Sequence, residues 1–230
     1  MSARRSLFAR LLRGMIAGVL AAAALGVGWA ALGAVLNPPT TYLIERERWR
    51  LGSVRREWRD LDAIAAALVR AAMAGEDARF CAHRGFDLVE IERALSDRGR
   101  GRPRGASTIS QQTAKNVFLW PAQTWTRKAL EAGFTVLIEA FWSKRRIMEV
   151  YLNVAEFGEG VFGAEAAAQA WFGVPASRLS PQQAARLAAI LPSPRTRDPV
   201  RPSAFVAQRA RAIADGAETL RVAGRDRCVL

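Results

Sequence analysis

The sequence predicts a mainly α-helical protein preceded by one membrane-spanning helix. Three observations carry this. From Met15 to Leu36 there is no charged residue. Beyond it, apolar side chains return at helical spacing, as in Leu61, Ile64, Leu68 and Ala72. No stretch shows the strict alternation of a half-buried strand. The 230 residues suffice for one sizeable core plus attachments. The formal charge of +13 favours anionic partners: phosphate-bearing substrates, lipid headgroups or nucleic acid. Cys81 and Cys228 offer neither a zinc spacing nor a disulfide framework. A single Cys81–Cys228 bridge outside the cytoplasm is left open.

Residues 1–14 form a basic tail with Arg4, Arg5, Arg10 and Arg13 and no acids. As a helix, residues 15–36 would reach about 33 Å, enough to cross a bilayer core. The positive-inside rule puts the tail in the cytoplasm and the rest of the chain on the far side. The apolar region exceeds the roughly 7–15 residues of a cleaved signal peptide, so an anchor is preferred and cleavage is the rival. Export removes nucleic acid from the list of partners. Asn37-Pro38-Pro39-Thr40 closes the span, since two prolines cannot continue a helix. Residues 37–60, with Trp49 and Trp58 among arginines, read as a connector near the headgroups.

The main domain is placed at 61–222. Its first helix is expected to start near Leu61, with Asp60 as cap, and to stop at Gly75. A second covers Asp87 to Leu95. Ser96 to Gly105 carries four arginines among glycines and a proline, and reads as a solvated linker or a flap for phosphate. Ser107 or Thr108 caps a helix running through Lys115. Phe118 to Trp125 is either core or a membrane-dipping lobe. Thr124 caps a long helix in which Leu130, Phe134, Leu137 and Phe141 are expected to face the core. Ser143 caps the next helix, which reaches Asn153. Glu156 to Gly163 is a glycine-rich turn without a preceding strand, so it is no dinucleotide fingerprint but a close backbone passage. Ala164 to Trp171 is helical. Ser180-Pro181 opens a helix that ends before Pro192. A last helix covers Ser203 to Leu220, and residues 223–230 are expected to fray.

Three stretches carry chemistry. Glu76 to Gly85 is a polar break with adjacent carboxylates, Glu76 and Asp77, and the single histidine, His83. Phe80 and Phe86 are expected to pin it to the core. A helix C-terminus would raise the pKa of Glu76 toward that of a general base, although paired acids are more often plain surface. Gly105 to Asn116 brings Ser107, Thr108, Gln111, Gln112, Lys115 and Asn116 to a capped helix start, which is an anion site or simply a cap. In the third stretch, Arg127 stands one turn before Glu131 and can hold it ionised, with Lys128 alongside. An ordinary intrahelical ion pair is the equal alternative.

In this order the motifs resemble the monofunctional peptidoglycan glycosyltransferases, the transglycosylase family shared with the N-terminal half of bifunctional penicillin-binding proteins. The resemblance covers Glu76 to about Pro199. It rests on Glu76-Asp77-x-x-Phe80-x-x-His83-x-Gly85, on Gly105-x-Ser107-Thr108-Ile109-x-Gln111-Gln112-x-x-Lys115-Asn116, and on Arg127-Lys128-x-x-Glu131. Ser143-Lys144 with Tyr151-Leu152-Asn153, Gly158-x-Gly160-x-x-Gly163, and Leu187-Ala188 to Pro192 and Pro194 complete it. It implies a lysozyme-like head with a small membrane-contacting lobe, and polymerisation of lipid II on the outer face of the cytoplasmic membrane. Glu76 matches the general base, and undecaprenyl pyrophosphate would leave with inversion. Glu131 matches the second acid, near the pyrophosphate, where a divalent cation (Mg or Mn) is allowed for without a dedicated protein site. Ser107, Gln112, Lys115, Arg127 and Lys128 match donor-site positions. Asp77, His83, Thr108, Gln111 and Asn116 complete the implied substrate-binding set. Implied partners are lipid II, the growing glycan, the bilayer, and other cell-wall synthesis or division proteins.

Two positions depart from the pattern. Gln123 stands where many relatives carry arginine, and Gln183 where many carry glutamate, the latter expected to be structural. No Ser-x-x-Lys or Lys-Thr-Gly motif is present, so no cross-linking is expected. Two rivals remain: a glycan-cleaving enzyme with water between two acids, and a non-catalytic scaffold of the wall machinery.

Overall fold

The computed structural model describes residues 2–96 and 107–230. The stretch from Asp97 to Gly105, read above as linker or flap, lies outside them. In chain order the helices are α1 (Ser2–Gly33), α2 (Tyr42–Leu51), α3 (Ala66–Glu76), α4 (Leu88–Ser96), α5 (Ile109–Phe118), α6 (Trp125–Phe141), α7 (Lys144–Val154), α8 (Ala164–Phe172), α9 (Pro181–Ile190) and α10 (Ala204–Val222). The mainly α expectation holds. One small sheet was not foreseen: β1 (Arg55–Arg56), β2 (Glu156–Gly158) and β3 (Val161–Phe162), in the order β1-β3-β2. Strands of two or three residues are too short to show alternation. The glycine-rich turn is thus a hairpin. Gly163 (φ 85°) lies so close to the end of α7 that a Cβ there would stand 3.1 Å from the Asn153 carbonyl oxygen.

The core centres on α3, packed between α9 and α10. Leu68, Ala72, Leu187, Ala188 and Ile213 are buried there. Small residues let these axes approach. A Cβ on Gly75 would stand 3.1 Å from Ile213, so Gly75 serves packing, and α3 runs one residue past it to Glu76. Leu61 to Ala63 is a separate 3-10 turn. Asp60 makes no side-chain cap there, and Ile64 is extended, which delays α3 to Ala66. Asp87 caps α4 instead, accepting from the N–H groups of Val89 and Glu90. α7 carries Ile147, Tyr151 and Leu152 inward as expected. Phe80 is fully buried, whereas Phe86 is only half-buried.

The expected core stripe of α6 is met only in part: Phe134 packs against the core, but the most buried face of the helix is a different one. Arg127, Glu131, Thr135 and Ile138 are buried, while Leu130 is 45% and Phe141 44% exposed. The apolar stripe lies on the α1 side: Phe134 stacks on Phe118 at 4.5 Å and abuts Gly26. An apolar face needs an apolar neighbour, and beside a membrane-spanning helix that neighbour need not be the protein core. Within α1, Arg10–Gly33 is long and apolar enough to cross a membrane. Its C-terminal end is held to the domain. Trp142 Nε1 donates to the Ala30 carbonyl at 2.6 Å, and Arg146 donates to the carbonyls of Gly33 (3.1 Å) and Leu36 (2.7 Å).

α2 is docked by Glu47, which is fully buried and paired with Arg46, Arg50 (2.7 Å) and Arg195 (3.0 Å). Burial alone would raise its pKa, but hydrogen bonds from Arg50, Arg195 and Arg46 overcome it and hold the carboxyl at about 2. A depressed folded pKa stabilises above the ordinary value of 4.5 and loses that contribution as pH falls toward 2. Thermal midpoints measured between pH 7 and pH 2 should therefore drop more steeply for the parent than for Glu47→Gln. The variant should be less stable at pH 7 and converge with the parent in acid. Parallel curves would contradict this.

The C-terminal tail does not fray, and the cysteines are not free. Cys81 and Cys228 form a disulfide across 147 residues of sequence. Arg70 pairs with Asp226 at 2.6 Å, Arg145 donates to the Val229 carbonyl at 2.8 Å, and Val229 is 2% exposed. The tail's polar composition concealed that it is fastened to the polar break following Glu76. Replacing both cysteines by serine should cost about 2–4 kcal/mol in denaturant unfolding and expose the tail to proteolysis. An unchanged midpoint would show that the bridge constrains nothing.

Candidate active site

Glu76 is the last residue of α3, delivered to a meeting point of α5 and α10. Gln112 Nε2 donates to its carboxylate at 3.0 Å. Arg209 reaches the same carboxylate at 3.3 Å and the Gly75 carbonyl at 3.0 Å. The side chain is 12% exposed. Burial raises its pKa, and Gln112, Arg209, Arg197 and Lys115 restrain the rise. The direction is the one expected at a helix end, but burial is the leading cause.

Next to Glu76 lies a buried polar layer, in which Nδ1 of His83 has no partner among the described residues. Asp77 accepts from His83 Nε2 at 2.9 Å and from the Ile109 N–H at 3.0 Å, tying the end of α3 to the first turn of α5. The His83 side chain is 6% exposed. Thr108 caps α5 in a reciprocal box with Gln111, and its hydroxyl donates to the Gly85 carbonyl at 2.6 Å. Gly85 (φ 88°) has no room for a side chain, since a Cβ would lie 2.7 Å from Thr135. Of the substrate-binding set implied by the resemblance, the side chains of Asp77, His83, Thr108 and Gln111 are buried and bonded to one another or to backbone next to Glu76. Ser107 is exposed just before the cap.

Gln112 and Lys115 share one face of α5, and Asn116 follows half-buried. Burial lowers the Lys115 pKa; Glu131 and Glu76 oppose this, while Arg127 and Lys128 add to it. Lys115 therefore feels both acids. Glu131 is 3% exposed and held by two cations of its own helix, Arg127 at 2.6 Å and Lys128. Nε of Arg127 and of Arg209 is buried with no partner among the described residues. The site thus combines a buried carboxyl of raised pKa with cationic donors that protein groups do not saturate.

A transglycosylase family model matches residues 44–218. The chain belongs to this family. It is 50% identical over 227 residues to a biosynthetic peptidoglycan transglycosylase of Jannaschia sp., covering 99% of this chain and 94% of that protein. It is 53% identical over 209 residues to one of Xanthomonas axonopodis pv. citri, covering 87% and 85%. Another, from Rhodospirillum centenum, is 50% identical over 228 residues and covers 98% of each chain. The chain is therefore a glycosyltransferase of peptidoglycan synthesis.

In this transglycosylase, Arg209, which contacts the Glu76 carboxylate, is a neighbour that sequence reasoning missed. Arg209 stands among several arginines of α10, far from Glu76 in sequence, and no local pattern marks it. Gln183 is structural, as expected, closing a capping box with Ser180. Gln123 is exposed. A dedicated metal centre on Glu131 does not fit, because both its oxygens already take cations. Asp77, His83 and Asp87 do cluster, but the aspartates are spent on backbone N–H groups, His83 and Arg79.

Proposed function

We propose that the enzyme polymerises lipid II into linear glycan strands, with Glu76 as general base and undecaprenyl pyrophosphate as leaving group. The acceptor's 4-hydroxyl gives its proton to Glu76 as its oxygen bonds to the donor's anomeric carbon. The bond from that carbon to the pyrophosphate oxygen breaks on the opposite face, inverting the centre. Lys115, Arg127 and Lys128 take the developing pyrophosphate charge, and the partnerless Nε of Arg127 supplies a further donor. Glu131 holds Arg127 and Lys128 in position. A divalent cation would travel on the substrate's pyrophosphate rather than on a protein-built site.

The observation that carries this reading is that buried Glu76 is bonded by Gln112 and Arg209, with Lys115 one turn beyond Gln112 on α5. A hydrolase has no pyrophosphate to hold, so the cations disfavour glycan cleavage. α1 would anchor the chain once through the cytoplasmic membrane with the domain on the outer face. Exposed Trp120 and Trp125 beside the apolar stripe of α6 support a lobe resting on the bilayer. The absence of penicillin-binding motifs supports polymerisation without cross-linking.

The test is incubation of detergent-solubilised protein with labelled lipid II and Mg or Mn, alongside preformed glycan. Long uncross-linked strands from lipid II are expected. Cleavage of preformed glycan without polymer would turn the reading to a hydrolase, and neither activity would leave a scaffold.

A further inference from the structure

We infer that an anionic glycerophospholipid binds between α1 and the α5–α6 layer, one acyl chain in an apolar groove and its phosphate at Arg48 and Arg56. The inference rests on the membrane-anchored reading of α1 and lies apart from the Glu76 cleft. Leu25, Gly28 and Leu32 form one wall of the groove, Phe118 and Trp142 the other, and the space between them is 450 Å³. A Cβ built on Gly28 meets nothing within 4 Å, so the groove is open at its middle. From Ala24 to Gly33 the lining helix rises about 14 Å, close to half of a ~30 Å hydrocarbon core. The groove therefore crosses one leaflet, the depth of a single acyl chain.

Its outer end continues into a different chemistry. Asn37, Pro38 and Pro39 line both the groove and a second cavity of 400 Å³, whose other walls include Arg48, Arg56 and Trp58. Arg56 donates to the carbonyls of Pro38 and Pro39, yet it pairs with no carboxylate among the described residues. The nearby acid, Glu45, is taken by Thr40 and Arg48. Nε of Arg56 and Nε1 of Trp58 are both buried without a hydrogen-bond partner among the described residues. A phosphate in this cavity would take charge-assisted bonds from the guanidinium groups of Arg48 and Arg56 that line it. With Glu45 set against the two arginines, one net positive charge is left, which favours an anionic headgroup over one that carries its own cation.

Full-length protein is reconstituted into phosphatidylcholine nanodiscs containing phosphatidylglycerol, then released and weighed by native mass spectrometry. One phosphatidylglycerol per chain should be retained, at least about tenfold over phosphatidylcholine, as expected for a charge-assisted contact. Arg48→Ala with Arg56→Ala should remove that preference. Gly28→Phe, which fills the groove and leaves both arginines, should lower retention of the lipid by a similar factor. Co-migration with the nanodisc reports insertion separately, so a failure of anchoring is distinguishable from an empty groove. Equal retention of phosphatidylcholine, or an unaffected Gly28→Phe variant, overturns the proposal. So does displacement of the phospholipid by undecaprenyl pyrophosphate, which would assign the groove to the substrate's own chain.

Discussion

Glu76→Gln should lower the rate of glycan polymerisation by about a thousandfold, within the range lost when a positioned general base is removed. The variant should nevertheless fold, since an amide can still contact Gln112 and Arg209. It should even melt at a higher temperature than the parent near neutrality. Burial raises the folded pKa of Glu76 above its ordinary 4.5, so ionising it costs stability as pH rises through that range. Below 4.5 both proteins carry a neutral group and the difference should vanish. Polymer assays on size-resolved products, with thermal midpoints at pH 7 and pH 4, check both halves. Parental rates in the variant would remove Glu76 from the chemistry. A lower midpoint at pH 7 would refute the burial argument alone.

Glu131→Ala should be the most damaging single change to stability at the site. It strips the counter-ion from Arg127, which is itself 9% exposed, and leaves a buried charge unpaired. Breaking such a pair costs about 3–5 kcal/mol. Glu131→Gln keeps an acceptor for Arg127 and should cost less. Because Lys128 in both variants, and Arg127 in Glu131→Ala, would no longer be held in place, both variants should also lose polymerisation. Denaturant unfolding of the purified proteins gives the ranking, and equal midpoints for parent and Glu131→Ala would contradict it.

The helices were legible because their caps are local: Thr108, Thr124, Ser143, Ser180 and Ser203 each accept the N–H three residues on. The pairing of Arg127 with Glu131 was legible from one-turn spacing. Facing was not. Leu130, Phe134, Leu137 and Phe141 form a correct stripe, but periodicity does not say whether a stripe meets core or membrane. Long-range closures were equally hidden. Arg209 at Glu76, Asn153 on the backbone of Arg59, and Cys228 on Cys81 join segments far apart in the chain. No local signal marks either partner. The roles of Asp77 and His83 turned on the same point: motif spacing placed them beside Glu76, and only packing shows that they face inward.

Glu76, a buried base of raised pKa, is the centre of the proposed chemistry. The most direct measurement is the pH dependence of single-turnover polymerisation of labelled lipid II by the parent, Glu76→Asp and Glu76→Gln. The parent should lose rate on the acid side with a one-proton limb centred above 4.5, because the base must be ionised to accept the hydroxyl proton. Glu76→Asp should keep a limb at reduced rate, and the residual rate of Glu76→Gln should show none. An unchanged acid limb in Glu76→Gln would place the base elsewhere.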